Sequence, residues 1–169
     1  MLILFSAKNY RSIRTEQELS LVASPYYAGK KASESDRKNR ERQTIDRALP
    51  GLSGKTYLRS VAIYGANGSG KSNIAHAMAA MQQIVEGSAS YLPANHIPYD
   101  PFALDAKSKR SPTEYFIAFY WGDRRYEYEF SHDDTRIVYE QLSSFPKGQR
   151  RVLYRRSTNS QNHTEVDGS

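Results

Sequence analysis

Arg59-Ser60-Val61-Ala62-Ile63-Tyr64-Gly65-Ala66-Asn67-Gly68-Ser69-Gly70-Lys71-Ser72 is the stretch that decides how this chain is read. Its second half fits G-x-x-x-x-G-K-[ST] at every fixed position. Glycines let the backbone curl until consecutive N–H groups point inward, the geometry that cradles phosphate oxygens. Lysine at position 71 reaches β- and γ-phosphates, and the Ser72 hydroxyl coordinates the Mg²⁺ that accompanies them. Gly65, Ala66, Asn67, Gly68, Ser69, Gly70, Lys71 and Ser72 are therefore the candidate nucleotide-binding residues. Lys71 is also the catalytic candidate and Ser72 the metal ligand. At average glycine usage, a chance match in a chain of this size occurs on the order of one time in a hundred or less.

The flanks reduce that chance further. Residues 59–64 form a β-rich run that ends at the first glycine, which predicts a strand. After Ser72, the residues Ile74, Ala77, Met78, Met81 and Val85 recur at spacings of three and four, which predicts a helix. Gly87 stops it, and Pro93 follows. Strand, loop and helix are the setting the motif needs, with phosphates at the positive end of the helix dipole. His76 falls on the polar side of this helix and reads as solvated.

Composition bounds the rest. The chain of 169 residues supports one domain with a core of its own. Hydrophobic content of 38% and a mean hydropathy of −0.72 make it polar for a globular domain. With no cysteine, a disulfide scaffold, thiol catalysis and a zinc–thiolate site are excluded. Leu2-Ile3-Leu4-Phe5 is too short for a signal-peptide core, and no run approaches a membrane span. The expected location is cytoplasmic, with no membrane partner. A net charge of +6 favours acidic partners only weakly, because nucleotide binding uses some of it.

Residues 2–7 and 17–23 read as strands. Residues 24–56 form a basic polar insertion holding Lys30, Lys31, Arg37, Lys38, Arg40 and Arg42, with Glu34, Asp36 and Glu41 between them. It reads as a solvated loop or a marginal helix over 33–48. The sharper alternative is contact with DNA or RNA through Lys30–Arg42. Four prolines make residues 88–113 an extended connection. A β-meander over 114–156 follows, with strands at Tyr115–Trp121, Arg125–Phe130 and Ile137–Phe145 and a short one at Val152–Arg155. Its turns are Gly122-Asp123, His132-Asp133-Asp134 and Pro146-Lys147-Gly148. Tyr126, Tyr128 and Phe130 alternate with charged residues, the pattern of a sheet packed on a helix rather than of a base-stacking platform. Residues 157–169 read as a polar, disordered end. There is no repeat, metal-ligand cluster or catalytic triad.

Several segments together resemble a known family. The loop reads G-A-N-G-S-G-K-S-N, with Asn67 and Asn73 flanking its core. Asn9-Tyr10-Arg11-Ser12 follows the first strand. Pro101-Phe102-Ala103-Leu104-Asp105, Pro112-Thr113-Glu114-Tyr115-Phe116, Arg125-Tyr126-Glu127-Tyr128 and Ile137-Val138-Tyr139-Glu140-Gln141-Leu142 come next, in order. Over residues 1–156 the chain resembles the N-terminal lobe of ABC-type, SMC/RecF-like AAA ATPases. More narrowly, it is similar to the ATPases of prokaryotic phage-defence systems of the overcoming-lysogenisation, abortive-infection, Septu and retron-associated types.

The resemblance implies an α/β fold: a P-loop NTPase, an ABC-type lobe with a mixed sheet, a P-loop helix and an antiparallel β-meander. It implies ATP and Mg²⁺ as cofactors, with Asn67 to Asn73 wrapping the triphosphate. It also implies that Asn9, Arg11 and Ser12 lie near the nucleotide, and an arginine there suits a polyanion. A homodimer around ATP and an effector protein such as a nuclease are the implied partners.

One departure matters. No run of four apolar residues ends in Asp-Glu, so the Walker B element is missing, and so are the signature and switch histidine. The glutamine loop has no clear counterpart, since Gln82 and Gln83 fall in the P-loop helix. The expectation is half a catalytic domain, an ATPase only as part of a complete protein and inactive alone, because no carboxylate organises metal and water. The alternative is a non-hydrolysing nucleotide- or nucleic-acid-binding module. A P-loop kinase fits poorly, because a meander replaces the lid and acceptor site.

Overall fold

The computed structural model describes residues 1–24, 44–46, 56–87, 96–159 and 161–168. The first strand, β1 (Leu2–Lys8), begins the sheet, and β2 (Gln17–Ser20) lies antiparallel beside it with Phe5 opposite Leu19. On the other side of β1 runs β5 (Thr113–Trp121), followed in spatial order by β6 (Arg124–His132), β7 (Ile137–Ser144), β8 (Arg151–Thr158) and β9 (Thr164–Gly168). A separate two-stranded ribbon pairs β3 (Thr44–Asp46) with β4 (Thr56–Leu58). Every ladder among the described residues is antiparallel, so the mixed sheet expected from the resemblance is corrected to an antiparallel one.

One helix, α1 (Lys71–Gly87), packs on one face of the sheet. Its buried residues, Ala77, Met81 and Ile84, fall at spacings of four and three, one stripe of a 3.6-residue period. Val85, counted on that stripe from the sequence, is exposed, and Ile84 takes its place. Under the helix lie Phe5, Ala7, Tyr115 and Phe130, with Tyr115 stacked between Phe5 and His132. The aromatic alternation of β6 thus does the packing work its period indicated. The opposite face carries a smaller cluster of Ile3, Tyr57, Ala118 and Tyr120. A bulge between Leu2 and Leu4 lets Ile3 join that second cluster while Phe5 stays in the first.

Two expectations are corrected at the margins. The polar end does not fray: β9 pairs with β8, Arg156 opposite Val166. The turn before it is built by Asn159, whose side-chain oxygen accepts from the N–H groups of Gln161 and His163. Such an Asx-type turn needs no apolar period, which is why periodicity misses it. The helix suggested over 33–48 lies mostly outside the described residues, and its end, Thr44–Asp46, is a strand.

The largest correction is at residues 59–64. They join no sheet and form no strand. Val61 and Ile63 are each 44% exposed and Tyr64 is 90% exposed. Apolar, β-prone residues become a strand only when another backbone supplies the ladder, and no described segment does so here.

Candidate functional site

The loop 65–72 sits between segment 59–64 and the first turn of α1. Gly68 and Gly70 have φ of +79° and +86°, the left-handed region that side chains disfavour. A Cβ on Gly70 would stand 2.9 Å from Ser12 Oγ, so glycine also permits that close approach. Lys71 folds back across the loop: its ammonium donates to the carbonyls of Gly65 at 2.8 Å and Ala66 at 2.6 Å. A Cβ on Gly65 would meet Ser69 Oγ at 2.9 Å, so that hydroxyl would have to shift. An ammonium has three donors, so one stays available to a phosphate oxygen.

Helix α1 begins at this loop with no acidic residue in its first turn, so no carboxylate neutralises its positive end. Ser72 is exposed there. Its hydroxyl, with phosphate oxygens, suits the hard, oxygen-only coordination of Mg²⁺. Among the described residues no cluster of three His, Cys, Asp or Glu offers an all-protein metal site.

The Asn9–Ser12 element meets the loop through one residue and leaves another behind. Tyr10 and Ile13 close a tight turn by mutual backbone bonds of 2.9 and 2.7 Å, and both are buried against α1. Arg11 and Ser12 are therefore held exposed at its tip. Ser12 Oγ accepts from Asn73 Nδ2 at 2.6 Å, clamping the turn to the start of the helix. Asn9 is different. It is buried, with its NH₂ group donating to the carbonyls of Ser108, Ser111 and Pro112 and its Oδ1 accepting from Phe102 N–H. Its amide is engaged by the connection before β5, at the base of the turn rather than at its tip.

Arg11 lies over the Tyr10 ring at 5.4 Å, and its Nε donates to Asp100 at 2.7 Å. That hydrogen bond raises the guanidinium above its ordinary value. Asp100, 89 residues away, was invisible to sequence reasoning, because no local pattern links it to Arg11. A cleft of about 440 Å³ opens where the turn faces the loop, lined by Ser12, Arg14, Ile63, Tyr64, Ser69 and Lys71 among others. Glu18 is the one carboxylate on its wall among the described residues. Lys71 and Ser69 line this cleft, with Ile63, Tyr64 and Ile74 as an apolar wall beside them.

A family model described as "AAA domain, putative AbiEii toxin, Type IV TA system" matches residues 60–167, from the run before the loop to β9. The chain belongs to this AAA-domain family. It is thereby related to the AAA-type ATPases of abortive-infection systems, as the resemblance implied. The family match also covers α1, the whole meander and the end that the sequence left unstructured. No curated protein and no solved structure matches the chain. No described helix of this AAA-family chain is long and apolar enough to cross a membrane.

Proposed function

We propose that this chain binds ATP with Mg²⁺ at the loop 65–72 and is the N-terminal, P-loop NTPase lobe of an ABC-type ATPase. The observation that carries the reading is Lys71 lying across its own loop on the Gly65 and Ala66 carbonyls, at the open start of α1. Bound Mg²⁺ would neutralise phosphate charge, and Ser72 is the residue to hold it. Lys71 anchors the phosphates, Gly68 and Gly70 let backbone N–H groups turn inward, and Ser12 with Asn73 steadies the loop.

The exposed, unpaired segment 59–64 supports a lobe completed by further strands. Hydrolysis belongs to the completed protein: a C-terminal lobe supplies carboxylates for metal and water, and a second subunit closes the site in trans. The whole would be the nucleotide-driven switch of an antiviral defence or DNA-processing complex acting on an effector such as a nuclease. Contact with DNA or RNA through Lys30–Arg42 is part of the same reading, and those residues lie outside the described ones. The missing carboxylate pair also favours a second reading, a nucleotide-binding module that does not hydrolyse.

The test is calorimetry of ATP–Mg²⁺ with the wild type and Lys71→Ala. Loss of a charge-assisted contact should cost about 2–3 kcal/mol, or roughly 30- to 150-fold in affinity. Equal affinity in a folded variant overturns the assignment.

A further inference from the structure

The end of the sheet opposite the phosphate loop has a composition unlike the rest of the molecule. β1 runs from Leu2, opposite Phe119, to Lys8, opposite Glu114, and the turn clamped to the loop follows its Lys8 end. The Phe119 end is therefore the far end. Two hairpin turns meet there, Gly122-Asp123 between β5 and β6 and the 3-10 turn Pro146–Gly148 between β7 and β8. They are held side by side, with Phe145 N–H donating to Arg125 O at 3.0 Å. Residues 119–126 and 144–151 hold five cations, Arg124, Arg125, Lys147, Arg150 and Arg151, against one carboxylate, Asp123. The whole chain, by contrast, holds 24 cations to 18 acids.

Register fixes which side chains stand together. Trp121 is directly opposite Arg124, so the two share a face with their Cβ atoms about 5 Å apart. One row inward on that face, Phe119 stacks on Tyr126 at 5.6 Å and 17°. Continuing across the sheet, Tyr126 is opposite Ser144, and Ser144 is opposite Arg151. An aromatic pair thus ends in an indole that is 78% exposed, with Arg124 beside it and Arg151 on the adjoining row. Two of the five cations are neutralised, Arg125 by Glu127 and Arg150 by Glu129, as Arg136 is by Asp133 and Arg156 by Glu140 further along the sheet. Arg124, Lys147 and Arg151 are exposed and form no ion pair with a described residue.

We infer that this distal end binds single-stranded nucleic acid, with a base stacked on Trp121 and phosphates held by Arg124, Lys147 and Arg151. An exposed indole offers its face to an unpaired base, whatever the base. Cations without carboxylate partners are free to replace counterions on a phosphate backbone. Bases in a duplex are already stacked on one another, so the indole selects single strands. This site is separate from the nucleotide loop.

Trp121 is the only tryptophan in the chain, so its emission reports on this site alone. The experiment titrates the full chain with a fluorescein-labelled oligothymidylate of about 15 nucleotides, following indole quenching and label anisotropy together. The expected result is saturable quenching, with log affinity falling against log salt at a slope of about −2, as three phosphates on a single strand require. Alanine at Arg124, Lys147 and Arg151 together should flatten the slope and weaken binding tenfold or more. Trp121→Ala, read by anisotropy, should weaken it roughly 5- to 100-fold. Lys71→Ala and excess ATP should leave it unchanged, and alanine at all six basic positions of Lys30–Arg42 should leave the saturable indole quenching in place. Absence of quenching, a triple variant of undiminished affinity that melts like the wild type, or equal quenching by a duplex of the same length would each overturn the inference.

Discussion

Two segments of this chain look alike as sequences and behave oppositely as structure. β1 reads Leu-Ile-Leu-Phe-Ser-Ala-Lys, and residues 60–64 read Ser-Val-Ala-Ile-Tyr. In β1, Ile3 is 5% exposed and Phe5 is fully buried; Val61 and Ile63 are 44% exposed and Tyr64 almost entirely so. β1 has β2 on one side and β5 on the other, with α1 above Phe5 and Tyr57 beside Ile3. Residues 59–64 have none of these. Propensity and apolarity only make a strand available, and backbone partners with a covering layer make it stable.

The widest contrast should come from truncating one side chain in each segment. Phe5→Ala should cost about 3–5 kcal/mol in denaturant unfolding, because it opens a cavity under α1. Ile63→Ala should cost about 1 kcal/mol or less, since the side chain is already 44% exposed and belongs to neither core cluster. Similar losses for both would mean that residues 59–64 are packed in solution and would erase the difference between the segments.

A second effect follows β1 past its end. Asn9, buried with φ of +56°, links β1 to the connection before β5 through four hydrogen bonds. Asn9→Ala takes a donor from the Ser108, Ser111 and Pro112 carbonyls and the acceptor from Phe102 N–H, and puts a Cβ-bearing residue without a polar group in a left-handed conformation. Roughly 3 kcal/mol of stability should be lost. ATP affinity of the folded fraction, measured by calorimetry at low temperature, should stay near wild type. A selective loss of ATP affinity with stability intact would place Asn9 at the nucleotide site.

The smallest effect depends on pH. His132 closes β6 under the same layer that covers β1, and burial holds its pKa below the ordinary 6.5. The unfolded chain therefore takes up this proton first, and stability should fall as pH drops through 6.5. Its Nδ1 faces the Asp133 carbonyl, Tyr99 and Tyr115 flank the ring, and the Asp133 carboxylate opposes the shift. Unfolding at pH 7.5 and 5.5 should show this drop in the wild type, and His132→Gln should flatten it. An equal slope in both proteins would assign the acid sensitivity elsewhere.

Local chemistry made much of the molecule legible. The loop needs glycines and a lysine at set spacings, α1 needs a stripe at three and four, and β5 to β7 need alternation, so these were readable from residues a few positions apart. Where partners are distant, reading failed. Asp100 holds Arg11, Ser12 meets Asn73, and Asn9 serves carbonyls about a hundred residues away. β9 escaped notice because its pairing rests on an asparagine turn and backbone bonds rather than on apolar side chains. The exposure of Trp121 was equally unreadable, since an aromatic at the end of an alternating strand looks the same whether or not something covers it.

By itself, the sequence determined that a glycine-rich G-x-x-x-x-G-K-S loop opens a helix and that an antiparallel meander packs against that helix. Both follow from short-range rules of backbone conformation and side-chain period. Tertiary structure alone decided that the run before the loop stands without a sheet partner among the described residues, that Asn9 is a strut while Ser12 touches the loop, and that cations and an indole gather at the far end. Each of these depends on which backbone lies alongside another, and hydrogen-bond partners many residues apart leave no trace in local order.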